Sequence, residues 1–189
     1  MTTKKIGIYG GAFDPIALHH IKIIDIVSKI MDKIIIIPAY KSLSGKKLSE
    51  GYHRINMCKL SITNNLDKII ISDYEIKNKL SGDPNNILLE HINHYNSLNP
   101  NDNNTYYFII GFDNTSWVEK FMTYNIIRCC VVPRDGYSAD KKAWYMKEPH
   151  IFLNIEKVKG SSTEAKKNKS ELLHSEVNKY IRINNLYNN

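Results

Sequence analysis

KKIGIYGGAFDPIALHH, residues 4–20, is the stretch whose reading decides the fold. The apolar run Ile6, Ile8, Tyr9 reads as a strand, and Gly10 and Gly11 follow it at once. After Pro15, the residues Leu18, Ile21, Ile24, Val27 and Met31 recur at helical spacing. A strand, a glycine turn and a helix make the opening unit of an α/β nucleotide-binding sheet. Glycine tolerates positive φ and lets a phosphate come close to the backbone. The helix start beyond it offers unpaired N–H groups and a positive dipole end to an anion. His20 falls in the first turns of that helix, within reach of a phosphate bound there. Neither G-x-G-x-x-G nor G-x-x-x-x-G-K-S/T occurs, so the turn is not a dinucleotide fingerprint or a P-loop.

Outward from this unit, strands and helices alternate. KIIIIP, residues 33–38, is a continuous apolar run of the kind that helices cover on both faces. A loop of Ser, Gly and Lys at 39–49 leads to a predicted helix over 52–62, and a third strand is predicted at 68–72. Gly82, Asp83 and Pro84 precede a predicted helix over 86–95, and the Asn-rich stretch 96–104 reads as an exposed connection. Residues 105–110 read as a fourth strand ending at Gly111, followed by a short helix and a fifth strand over 126–132 closed by Pro133. A last short strand is predicted at 151–155, and the chain reads as helical over about 161–186. The composition does not shift along the chain, and no repeat is visible. The expectation is one domain spanning 1–189: a Rossmann-like parallel sheet flanked by helices, with a helical C-terminal segment. Ligands of such sheets bind beyond the carboxyl ends of the strands. Gly10 and Gly11, the stretch 38–47, and Gly111 with Asp113 all fall there.

A chain of 189 residues with 42% hydrophobic positions can bury a full core and reads as globular. The net charge of +7 suits a protein that handles phosphates or nucleic acid. Its lysines are scattered, with no aromatic-rich binding motif on a strand, so no nucleic-acid partner is expected. A chain so rich in Lys, Asn, Ile and Tyr also fits an AT-rich genome, which by itself accounts for much of the charge. Cys58, Cys129 and Cys130 show no metal spacing, and the last two read as buried thiols in a reducing compartment. Lys4 and Lys5 lead directly into a strand, so no signal peptide is read, and no apolar run reaches the roughly 20 residues of a membrane span. The expectation is a cytoplasmic protein without a membrane partner, with a nuclear location and a homo-oligomer both left open.

GGAFDPIALHH resembles the GG-x-FDP-x-H-x-GH signature of nicotinate or nicotinamide mononucleotide adenylyltransferases, of the Rossmann-like nucleotidyltransferase superfamily. Gly10, Gly11, Phe13, Asp14, Pro15 and His20 match, whereas Ala17 replaces the first histidine and His19 the glycine. FIIGFDN, residues 108–114, resembles the family's GxDN stretch, which implies that Gly111 and Asp113 border the ribose and triphosphate of ATP. On spacing alone, Asp113 reads equally as a helix N-cap. The run on to CCVVPR, ending at Arg134, is also similar to the family. Trp117, with Phe121 as a rival, stands for the aromatic that stacks on the pyridine ring. GSSTEAK, residues 160–166, looks like the ISST-x-x-R motif, with Lys166 in place of arginine. Ser161 and Glu164 also have plain capping-box spacing. Lys46 or Lys47, and Arg54 within HRINM, resemble the family's basic loop and R-x-x-M helix. His53, His91 and His94 show no metal geometry and read as surface or packing residues; His19 reads as an exposed helix position. SGDPNNILL, residues 81–89, lacks the S-Y-T pattern around the pyridine carboxyl, so the resemblance leaves acid versus amide open.

The resemblance implies an adenylyltransferase of NAD biosynthesis that joins ATP and a pyridine mononucleotide into the dinucleotide, with release of pyrophosphate. Its implied catalytic residues are His20, Lys46 and Lys166. ATP would be held by Gly10, Gly11, Phe13, His20, Gly111, Asp113, Ser161, Ser162, Thr163 and Lys166. The mononucleotide would meet Ala12, Phe13, Lys46, Arg54, Trp117 and Arg134. Mg²⁺ would come with ATP and need no protein metal site. The rival readings are a phosphopantetheine adenylyltransferase or cytidylyltransferase, a degenerate binder to which Ala17 and Lys166 point, and an RNA-binding module. GxDN together with VVPR disfavours the first pair. His20→Ala is expected to lower kcat far more than it weakens ATP binding. Steady-state kinetics beside a binding titration checks this, and unchanged turnover would remove His20 from the mechanism.

Overall fold

The unbroken isoleucine run at 34–37 lies inside β2 (Lys33–Pro38), and successive side chains leave that strand on opposite faces. Ile34 and Ile36 enter one buried cluster, Ile35 and Ile37 another on the far side of the sheet. A strand buried on both faces has no polar alternation, which is why this stretch reads as one apolar block. The computed structural model describes residues 3–42, 45–121, 127–136, 138–156, 158, 162–166 and 170–187.

Beside β2 stand β1 (Lys4–Gly11) and β3 (Ile69–Ile71); beyond β1 come β4 (Asn104–Gly111), β5 (Arg128–Val132) and β6 (Ile151–Phe152). The order is β3-β2-β1-β4-β5-β6, and every pairing is parallel. This is the expected Rossmann-like sheet, with its reversal of strand order between β1 and β4. β1 stays in register with β4 only from Lys4↔Asn104 to Ile8↔Phe108. Beyond that point β1 continues against β2 as far as Gly11↔Pro38, and β4 against β5 as far as Gly111↔Val132. The two central strands therefore part at their carboxyl ends, and a crevice opens between them.

One core face is covered by α1 (Leu18–Val27) through Ile23, Ile24 and Val27, by α2 (Gly51–Ser61) through Met57 and Cys58, and by Val177 of the C-terminal helix. The other is covered by α4 (Pro84–Leu98) through Leu88 and Tyr95, and by α5 (Thr115–Phe121) through Val118. α4 starts where Asp83 accepts the N–H groups of Asn85 and Asn86 and Pro84 takes the first turn. Cys129 and Cys130 are fully buried on opposite faces of β5, and burial pushes both thiols up to about 12. Among the described residues, no helix is long and apolar enough to cross a membrane.

Three differences from the sequence reading follow from tertiary packing. A short helix, α3 (Tyr74–Lys77), occupies what reads as polar loop; it buries Glu75, whose hydrogen bonds lie outside the segment. The last strand is two residues long, Ile151–Phe152, because its pairing with β5 ends there. Among the described residues the C-terminal segment is broken into α6 (Ser162–Lys166), a 3₁₀ turn (Ser170–Leu172) and α7 (Ser175–Ile183). His174 interrupts it by capping α7, its Nδ1 accepting the Glu176 N–H at 3.3 Å.

Gly7 sits in the middle of β1, where a Cβ would stand 2.7 Å from Ile109 Cδ1 and 3.4 Å from Met31 Cγ. Gly7→Ala should destabilise the fold by about 1–3 kcal/mol through overpacking, read from urea denaturation. Gly10→Ala, whose Cβ would meet only Phe108 Cε2 at 3.7 Å, should stay within about 0.5 kcal/mol. The reverse order would contradict this packing.

Candidate active site

A cavity of about 1070 Å³ fills the crevice between the parting strands. Gly10, Gly11, Ala12 and Phe13 line it from the end of β1, and His19 and His20 from the start of α1. Gly111, Asp113, Trp117 and Arg134 close it from the β4 and β5 side, and Lys41 after β2, Glu75 of α3 and His91 of α4 lie in its wall.

His20 is set by its neighbours. Its Nδ1 accepts the Ala17 N–H at 3.0 Å, so the neutral ring carries its proton on Nε2. Burial, and then the neighbouring His19 and Arg134, push its pKa well below 6.5. At neutral pH His20 is therefore an uncharged N–H donor. Phe13 packs against it edge-on at 5.2 Å and against Tyr9 at 5.3 Å. Phe13 does this at φ 43°, a left-handed backbone that costs a bulky residue energy and persists because its ring is buried.

Asp113 and Arg134 face each other, with Arg134 Nε 3.4 Å from Asp113 Oδ1. A Cβ on Gly111 would stand 2.5 Å from that same oxygen, so the pairing requires glycine at this position.

Asp14 is buried and accepts three donors. Lys166 Nζ reaches Oδ2 at 2.6 Å, the Ser49 N–H reaches Oδ2 at 3.2 Å, and the Tyr187 hydroxyl reaches Oδ1 at 2.5 Å. Lys166 also lies over the Tyr187 ring, 5.1 Å from its centroid. Burial pushes the Asp14 carboxyl up, but the Lys166, Tyr187 and Ser49 hydrogen bonds outweigh it and hold it below 3.8.

Residues 8–168 match the cytidylyltransferase-like family. The chain belongs to that family. A protein of Fusobacterium nucleatum subsp. nucleatum named as a probable nicotinate-nucleotide adenylyltransferase is 33% identical over 94% of this chain and 96% of its own length. A Clostridium tetani protein of the same name is 32% identical over 85% and 84%. The solved structure of Plasmodium falciparum nicotinic acid mononucleotide adenylyltransferase complexed with NaAD superposes with a TM-score of 0.79, at 25% identity over 97% of both chains.

As a nucleotidyltransferase of this family, the chain brings Gly10, Gly11, Ala12, Phe13, His20, Gly111, Asp113, Trp117 and Arg134 together at one cavity. Other predicted residues stand elsewhere. Arg54 is buried behind the glycine loop, with Nε donating to the Ser49 carbonyl and an Nη to the Ala12 carbonyl, both at 2.9 Å. It clamps the loop's backbone and is absent from the cavity lining. Lys46 is exposed, and Lys41, not Lys46, lines the cavity. Lys166 is held on Asp14 and does not line the cavity. Ser161 lies outside the described residues, as do the side chains of Ser162, Thr163 and Phe121.

The sequence reading misses His91 and Glu75. His91 is buried in the cavity wall, its Nε2–H donating to Glu75 Oε2 at 3.2 Å, while Glu75 Oε1 accepts the Tyr40 N–H at 2.7 Å. Glu75 and His91 are 16 positions apart in different helices, so only tertiary docking pairs them. His53, bonded to the Tyr180 hydroxyl at 2.9 Å, and His94, stacked on Tyr74 at 3.9 Å, have the packing roles expected of them.

The stability tied to ionised Asp14 is present above pH 3.8 and lost as pH falls below it, because its native pKa is depressed. Tyr187→Phe leaves Asp14 Oδ1 without its hydroxyl donor and should cost about 1–3 kcal/mol at neutral pH. It should also reduce the stability lost on acidification, measured as denaturation midpoints across pH. An unchanged midpoint would mean that the tail does not secure this carboxylate.

Proposed function

We propose that the protein transfers the AMP group of ATP to nicotinate mononucleotide, giving the dinucleotide and pyrophosphate. The observation that carries this reading is a neutral N–H donor, His20, set beside Arg134 in a cavity at the switch point of the sheet. The names of the relatives favour the acid over the amide as acceptor.

The acceptor's phosphate oxygen would attack the α-phosphorus of ATP. As that P–O bond forms, the bond to the bridging oxygen breaks and pyrophosphate leaves with the electron pair. No protein nucleophile is required, so catalysis consists of alignment and charge stabilisation. His20 Nε2–H would donate to phosphoryl oxygens as negative charge builds on them, and Arg134 would add a full positive charge. Trp117 would offer its ring face to the pyridine. Lys166 offsets the charge of Asp14 beneath the glycine loop.

Magnesium would arrive with ATP. The cavity's carboxylates are already engaged, Glu75 by Tyr40 and His91 and Asp113 by Arg134. Among the described residues no cluster of three metal-ligating side chains occurs. An ion held by phosphate oxygens and water suits that lining, and it would screen the charge of the leaving pyrophosphate.

Pyrophosphate release, measured with ATP and Mg²⁺ against nicotinate and nicotinamide mononucleotides separately, tests the reading. Release is expected with both chemistries compared by kcat/KM, and with the acid preferred. Preference for the amide overturns the choice of acceptor, and silence with both overturns adenylyl transfer to pyridine nucleotides. Excess EDTA should abolish release without moving the melting temperature of the ligand-free protein.

A further inference from the structure

His19 reads from sequence as an exposed helix position, and the structure puts it elsewhere. Its imidazole is half-buried and lines the large cavity together with His20, the two ring centroids 3.8 Å apart and tilted by 39°. Neither of its ring nitrogens has a hydrogen-bond partner among the described residues. Ala17, two residues back at the helix start, is buried and contributes no polar side chain. His19 and His20 are thus the two polar side chains that the start of α1 presents to the cavity.

Arg134 lies near enough for its charge to act on both imidazoles. With burial as the larger cause, it holds His19 down to about 4. Two neutral rings and a guanidinium repel one another only when the rings take up protons, and all three attract an anion placed among them. A neutral imidazole with both nitrogens unpartnered can supply one N–H to such an anion.

We propose that His19 is a further catalytic residue, whose ring N–H donates to a phosphoryl oxygen in the cavity beside the His20 Nε2–H. The proposal rests on the reading of the cavity as a site of phosphoryl transfer. The phosphoryl group belongs either to ATP or to the acceptor mononucleotide, and the same donor serves both.

Three variants test it. His19→Leu keeps bulk and removes the donor, His19→Asn places an amide near the position of Nδ1, and His19→Gln places one near Nε2. Each is assayed for pyrophosphate release and titrated by calorimetry with ATP alone and with nicotinate mononucleotide alone, with thermal melts as a folding control. His19→Leu should lower kcat/KM by about 10- to 100-fold, the range of a hydrogen bond to a charged group. Asn or Gln should recover most of that loss, and the one that does identifies the donating nitrogen. A weakened ATP titration assigns the phosphate to ATP, and a weakened mononucleotide titration assigns it to the acceptor. Wild-type turnover and affinities in His19→Leu would overturn the proposal. So would a loss that neither amide recovers, since that would mark a packing role. If the wild-type protein releases no pyrophosphate, the proposed reaction fails, while the two calorimetric titrations still decide His19.

Discussion

The buried carboxylate of Asp14 is the constraint on which the geometry of the site depends. A charge out of water must be paired and hydrogen-bonded, or the fold loses more than the charge contributes. Asp14 meets that requirement with a lysine from α6, a tyrosine near the end of the chain and a backbone N–H at Ser49. Those donors come from three separate parts of the sequence. One side chain thereby draws the loop before α2, the short helix α6 and the C-terminal tail onto the turn after β1. Arg54 reinforces the same turn from beneath by holding the Ala12 and Ser49 carbonyls. The glycine loop is thus fixed by groups that do not line the cavity.

Above that platform, the cavity's polar groups are arranged before any ligand arrives. The Ala17 N–H sets the tautomer of His20, and the Phe13 ring sets its position. Asp113 orients Arg134 across the space left by Gly111. Donors held in place cost no reorganisation when charge develops, which is the main resource of catalysis that works without a protein nucleophile. The wall formed by Glu75 and His91 is similarly prearranged, with both Glu75 carboxylate oxygens and His91 Nε2 already engaged.

The position of this apparatus follows from the sheet. β1 and β4 stay paired through Ile8 and Phe108 and then turn to their outer neighbours. The carboxyl ends of two adjacent parallel strands cannot both be filled by the same crossover helix, so the gap between them is open to a ligand. Gly10 and Gly11 lie at one lip and Gly111 at the other, where bulkier side chains would intrude.

What the sequence by itself determined is whatever acts over a few residues. The isoleucine block of β2, the glycine turn after β1, the helical spacing after Pro15 and the apolar pair Cys129 and Cys130 are local patterns with local physical causes. They place the strands, their parallel arrangement and the glycine turn with His20 beside it, whereas the roles of Asp113, Trp117 and Arg134 were legible only through the family resemblance. Only the tertiary structure decided where the long cationic side chains go. Lys166 meets Asp14 across 152 positions and Tyr187 meets it across 173. Arg54 turned inward to backbone carbonyls, and Lys41, not Lys46, reached the cavity. A lysine or arginine carries the same charge in any of these places. Which partner it finds depends on how the helices and loops dock, and no local spacing encodes that.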